Sequence, residues 1–121
     1  MSNHCHFILR TTGDNRLSDV IRDIKKHTSK NIYRAIANNE HESRRNWLLK
    51  VLSYEGKIWF WEEGYHGEEI FDLHFFETKL NYIHLNPVRA GIVEKEEEYL
   101  NSSAGDLYGI RKGKLVLTRF G

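Results

Sequence analysis

Leu80–Val93 reads LNYIHLNPVRAGIV, and the fold is decided by the spacing of apolar residues in it and just upstream. Leu73, Phe76, Leu80 and Ile83 recur at three- and four-residue intervals, the period of one helix face. Asp72 to Leu85 is therefore predicted as an amphipathic helix with these four side chains as its buried stripe. Pro87 lacks a backbone N–H and clashes with the preceding turn, so the helix is expected to stop before it. Phe75, Lys79, Tyr82 and Asn86 lie on a different face, with the Tyr82 phenol and the Asn86 amide one turn apart on the side not committed to the core. His84, about 200° round the helix from Tyr82, falls outside that group.

Working outward, the N-terminal run His4-Cys5-His6 leads into apolar Phe7-Ile8-Leu9 and is predicted as a strand reaching Thr11. Residues two apart in a strand share a face, so both imidazoles point one way and Cys5 the other. Two imidazoles side by side are half of a metal site. His66, in a loop, is either a third ligand or a hydrogen-bonding surface group.

Thr12-Gly13-Asp14-Asn15 is turn chemistry, and Leu17, Val20, Ile21, Ile24, Thr28, Ile32 and Ala35 mark the inner face of a following helix. Arg22, Lys26, Lys30 and Arg34 form a basic stripe on its outside, which is either a solvated face or a track for a nucleic-acid backbone. A shorter helix is expected over Ser43–Ser53, with Trp47, Leu48, Val51 and Leu52 inward and Arg44 and Arg45 at its exposed start. Lys57–Glu62, KIWFWE, is rich in β-formers and is predicted as a strand. Trp59 and Trp61 share one face of it, as core or as platforms for unpaired bases. Gly64 and Gly67 punctuate a hairpin, or a less regular crossing, into Glu68–Phe71. Beyond Gly91 come a short strand Ile92-Val93, an acidic turn, a small helix or loop through Tyr99–Tyr108, and a last apolar stretch Lys114–Arg119.

A chain of 121 residues with 40% apolar content supports one modest core and hence a single domain, 1–121. One cysteine excludes an internal disulfide. No apolar run approaches the roughly 18 residues of a membrane span, and no signal core opens the sequence, so a cytoplasmic protein without a membrane partner is expected. The net charge of +1 hides an asymmetry: Arg10 to Lys57 carries eleven basic residues against six acidic ones, while the Glu94–Glu98 cluster lies in the remainder. One half is equipped to meet phosphates.

Strands and helices interleaved in this way predict an α+β domain, an antiparallel sheet with helices packed on it. His4, His6 and the amide oxygen of Asn86 then make a ligand set for a divalent cation such as Mg²⁺ or Mn²⁺, with positions left for phosphate oxygen. Tyr82 would stand beside it as a nucleophile.

MSNHCHFIL resembles the histidine–hydrophobic–histidine strand of the HUH endonucleases. YIHLNPVRAGIV resembles the nucleophile helix of the REP-associated tyrosine transposases, relatives of the insertion sequence 200-like transposases and single-tyrosine members of the HUH superfamily. The resemblance runs over essentially the whole chain, including YLNSSAGDLY at Tyr99–Tyr108. It implies a ferredoxin-like, RRM-like antiparallel sheet. It also implies a metal-dependent single-stranded DNA endonuclease and strand transferase, cutting beside palindromic hairpins through a 5′-phosphotyrosine intermediate. Tyr82 would be the nucleophile and His4, His6 and Asn86 the metal ligands, with Cys5 in the packing position between the histidines. Hairpin or single-stranded DNA would meet Arg22, Lys26, Lys30, Arg34, Arg44 and Arg45.

In that family a strand and a helix precede the HUH strand, whereas His4 stands three residues into this chain, so the family's first strand and helix are expected to be missing. Cys5 and Phe7 would then lose cover and the edge of His4–Arg10 would be left unpaired, giving a less stable monomer or a homodimer joined through that edge. Two other readings are a relative that binds DNA hairpins without cutting them, and a small structural zinc domain. The latter is short of ligands, because such zinc sites take four N or S donors.

Overall fold

A computed structural model describes residues 3–118. The chain forms two compact units, one of Leu9–Gly67 and one of Met1–Ile8 with Glu68–Gly121. It is mixed α and β. Among the described residues the only sheet is a two-strand antiparallel hairpin.

The Leu9–Gly67 unit is built on helix α1, Leu17–Ala37, preceded by the predicted turn, in which the Asn15 amide donates to the Thr12 carbonyl at 2.7 Å. Val20, Ile21, Ile24, Thr28 and Ile32 are half-buried as the periodicity requires, but Leu17 and Ala35, at the two ends of the stripe, are exposed. Helix α2, Arg45–Val51, packs on α1 and is shorter than the expected Ser43–Ser53. Trp47 and Val51, expected inside, are 59% and 56% exposed. Its inner face is Arg45, Leu48 and Leu49 with Leu52 just beyond, so Leu48 and Leu52 face inward as expected, whereas Trp47 and Val51 fall more than a quarter turn away from the centre of that face.

Strands β1, Ser53–Tyr54, and β2, Lys57–Ile58, pair with Ser53 opposite Ile58 and Tyr54 opposite Lys57. Their two-residue turn, Glu55-Gly56, has φ of 49° and 75°, the pair of left-handed positions that a type I′ hairpin demands and that Gly56 meets without strain. The hairpin therefore lies at Gly56, and the chain through Gly64 and Gly67 is the less regular crossing, the other of the two expected forms. The expected strand Lys57–Glu62 stops at Ile58 because the chain ahead of Ser53 is the end of helix α2, which leaves only the bond from the Trp59 N–H to the Leu52 carbonyl beyond the ladder. Trp61 is nonetheless anchored, its indole N–H donating to Thr28 Oγ1 at 2.8 Å.

In the other unit, helix α3 spans Leu73–Arg89. Asp72 caps its start, accepting from the Phe75 N–H at 2.7 Å. The expected stop before Pro87 is corrected by four residues. Pro87 sits in the last turn, where losing the single bond to the Ile83 carbonyl costs little because only Val88 and Arg89 follow. Closure comes from Gly91, at φ 71°, whose N–H reaches the Val88 carbonyl while the Ile92 N–H reaches that of Pro87, both at 2.9 Å. This is a Schellman ending, which glycine permits.

The buried stripe of α3 also differs from expectation. Phe76, Leu80 and Ile83 are half-buried, Leu73 is 56% exposed, and the buried side chains are His84 and Pro87. They meet a tail made of a 3₁₀ turn, Glu96–Glu98, and helix α4, Ala104–Leu107, whose Ala104 and Gly105 are buried. Arg111 locks this tail, donating to the carbonyls of Glu97 at 2.6 Å and Tyr99 at 2.7 Å. The Glu98 carboxylate accepts from the Glu94 and Lys95 N–H groups, each at 3.2 Å, which spends the acidic cluster on capping rather than on a plain turn.

No strand forms at Ile92-Val93 or over His4–Thr11 among the described residues, since neither run has a neighbour to supply ladder hydrogen bonds. Cys5, expected to pack, is exposed, since among the described residues no helix or strand covers it. Phe7 is 55% exposed. The last predicted stretch forms no strand or helix through Thr118, and its end at Arg119 lies outside the described residues.

Candidate functional site

The N-terminal segment and α3 bring together His4, His6 and Tyr82. The His4 and His6 rings lie edge to face with centroids 5.0 Å apart, and His6 meets the Tyr82 ring in the same manner at 5.9 Å. The two-residue spacing delivers both imidazoles to one side even without a strand ladder. His4 Nδ1 donates to Asn3 Oδ1 at 2.7 Å, which fixes the ring and leaves Nε2 free to take a ligand. His6 has its pKa lowered from 6.5, first by partial withdrawal from water and then by the adjacent His4, so its ring tends to the neutral form that binds metals.

Tyr82 is 48% exposed, so its phenol faces solvent rather than the core. Above its ring stands Arg89, with Cζ 5.6 Å from the centroid. Sequence reasoning missed Arg89, although seven residues bring a helix back to nearly the same face, so Tyr82 and Arg89 share a stripe by spacing alone. The same stripe is ordered further back, where Lys79 lies 5.1 Å over the Phe75 ring and pairs with Glu68.

Asn86 is half-buried and its side-chain nitrogen is buried without a hydrogen-bond partner. A buried amide N–H left unpaired is costly, and rotating the amide exchanges nitrogen for oxygen with no change of shape. The oxygen would then occupy the orphaned position as an acceptor. Two imidazoles and an amide oxygen fit a divalent cation of the Mn²⁺ type better than the all-oxygen surroundings Mg²⁺ prefers. Among the described residues no group of three or more His, Cys, Asp or Glu side chains is placed to hold a metal.

His84 lies away from this cluster, fully buried and within 2.8 Å of Ser103 Oγ. Burial lowers its pKa, partly opposed by Glu96. His66 is an exposed loop residue of the Leu9–Gly67 unit. In that unit Arg22, Lys26, Lys30 and Arg34 are all exposed along α1. Arg22 is held by Asp23 at 3.0 Å and Asp19 at 2.8 Å, which favours its charged form, Asp23 the more strongly. Lys26, Lys30 and Arg34 make no ion pair among the described residues. Arg44 is exposed and pairs with Glu42 at 3.1 Å, whereas Arg45, expected at the surface, is half-buried and donates to the Ala37 carbonyl. Its guanidinium closes the α1–α2 corner.

Comparison with known protein families, curated proteins and solved structures found no match. Among the described residues no helix is long and apolar enough to cross a membrane.

Proposed function

We propose that this chain is a cytoplasmic tyrosine transposase of the REP-associated type, a single-stranded DNA endonuclease and strand transferase acting beside hairpins. The observation that carries the reading is the contact of His4, His6 and Tyr82 in one unit, with Asn86 one turn beyond the tyrosine. Tyr82 Oη attacks the phosphorus of a phosphodiester. The new O–P bond forms as the bond from phosphorus to the 3′ oxygen breaks, leaving a 5′-phosphotyrosine. The phenol proton passes to solvent, which reaches the exposed ring, and the departing 3′ oxygen takes a proton from solvent. Arg89, above the ring, is placed to meet the negative charge of the phosphate. His4, His6 and Asn86 would hold the divalent cation, Mn²⁺ or Mg²⁺, whose role when bound is to polarise the phosphodiester. The cations of α1 supply the sequence-independent part of DNA affinity.

The same reading takes the fold to be ferredoxin-like, with His4–Arg10 becoming a sheet strand once a neighbour pairs with it. Its unpaired backbone and exposed Phe7 and Leu9 are what a neighbouring strand, from a second copy in a homodimer or from elsewhere, would cover.

The test is covalent capture. Protein mixed with single-stranded hairpin DNA and Mn²⁺ should give an adduct that survives denaturing electrophoresis and disappears in Tyr82→Phe. An adduct persisting in Tyr82→Phe would overturn the assignment. Hairpin binding with no adduct would leave a protein that binds without cutting, the outcome favoured if the unpaired His4–His6 segment is not held firmly enough for catalysis.

A further inference from the structure

The Leu9–Gly67 unit contains a groove of about 1020 Å³ between α1 and the chain that follows β2. That lies at the upper end of the roughly 300–1,000 Å³ of ordinary ligand pockets, and the lining runs along α1 from Ser18 to Lys30, a length that suits an extended ligand. One wall carries Lys26 and Lys30 from α1 and the other Lys57 and Trp59. None of these three lysines makes an ion pair among the described residues, unlike Arg22, which Asp19 and Asp23 already hold.

The two tryptophans that line the groove are held differently. Trp61 is half-buried and anchored by its indole N–H to Thr28, so it is part of the wall. Trp59 is fixed through its backbone, the N–H donating to the Leu52 carbonyl at 2.8 Å, while the residue remains 49% exposed. A rigid backbone with an open aromatic face among unpaired cations is a stacking platform. Lys25 is spent differently, donating to the carbonyls of Glu62 and Gly64 and so tying the far wall to α1. At that end Glu62 and Glu63 repel phosphates, which leaves the Trp59 end as the place for a nucleic-acid backbone.

We infer that this groove binds single-stranded nucleic acid, with one unpaired base stacked on Trp59 and the flanking phosphates on Lys26, Lys30 and Lys57. A duplex cannot use the platform, because its bases are already stacked on one another. The inference rests on the proposal that this half of the chain meets nucleic acid, but not on the chemistry of Tyr82.

The test uses the full chain, with tryptophan fluorescence and competition binding against three probes of equal length: a ten-nucleotide oligothymidine, the same backbone with abasic residues, and a duplex. Oligothymidine should quench the fluorescence and bind more tightly than the abasic strand or the duplex. Trp59→Ala should weaken oligothymidine binding roughly 5- to 100-fold, the range for losing one stacked base. Trp59→Phe should recover most of it. Trp47→Ala, which removes an exposed indole outside the groove, should change nothing. Thermal melting checks that each variant is folded. If Trp59→Ala binds like the wild type, or if the abasic strand or the duplex binds as well as oligothymidine, the inference is wrong. Failure of every probe and of hairpin DNA to bind would remove the nucleic-acid proposal with it. Trp59-dependent binding without a Tyr82 adduct would keep the groove and refute only the cutting reaction.

Discussion

Replacing His84 by alanine tests whether a histidine holds the core of its unit. The side chain is 2% exposed and within 2.8 Å of Ser103 Oγ, which ties α3 to the tail. Truncation leaves a void and strips the Ser103 hydroxyl of its partner, together about 2–4 kcal/mol. For a chain of this size that corresponds to a fall of roughly 10–20 °C in Tm. The loss should depend on pH in a definite direction. Burial holds the His84 pKa below 6.5 in the folded protein, so as pH falls the unfolded chain takes up this proton first. The stabilising contribution is complete above about pH 6.5 and is lost progressively below it, through the folded pKa. Circular-dichroism melts from pH 7.5 down to 5.5 should therefore show the wild type losing more stability than His84→Ala. His6, shifted in the same direction, is present in both proteins and cancels in the comparison. A variant within about 0.5 kcal/mol of wild type, or one with an unchanged pH slope, would refute this account of the core.

Gly105→Ala should destabilise the same unit by about 1–3 kcal/mol in chemical denaturation, because a Cβ there collides with the Arg111 guanidinium that clamps the tail. Rescue by Arg111→Ala in the double variant would confirm the collision as the cause. Tyr82→Phe should melt within about 0.5 kcal/mol of wild type, since the ring is half exposed, while abolishing the covalent adduct. A large loss of stability would make Tyr82 structural. Chelation of divalent cations should stop adduct formation but leave hairpin binding in place, and an undiminished adduct under chelation would overturn the metal proposal. Changing Arg22, Lys26, Lys30 and Arg34 to alanine should flatten the log–log salt dependence of hairpin binding by roughly 0.7–0.9 per lost contact. An unchanged slope would return the stripe to an ordinary solvated face.

Helix α1 was legible in the sequence because long 3.6-residue periodicity leaves few alternatives: Val20, Ile21, Ile24, Thr28 and Ile32 turn inward while Arg22, Lys26, Lys30 and Arg34 stay in water. The neighbourhood of Tyr82 and Asn86 was legible for the same local reason, since one helical turn separates them wherever the helix is placed. The two-residue spacing of His4 and His6 likewise sets their rings side by side with or without a sheet.

Contacts between distant segments were decided only by the tertiary structure. Whether His4–Thr11 is a strand depends on a partner's backbone, which no property of that run reports. The burial of His84 depends on Ser103, nineteen positions away, and turns a residue that looked incidental into the centre of a unit. Pro87 marks a helix end in isolation, but the bonds made around Gly91 and the burial of its ring carry the helix on to Arg89. Trp59 and Trp61 are equivalent by their alternation. Only the placement of Thr28 beneath one indole distinguishes them, because a single hydrogen bond holds Trp61 half-buried against α1 and leaves Trp59 exposed.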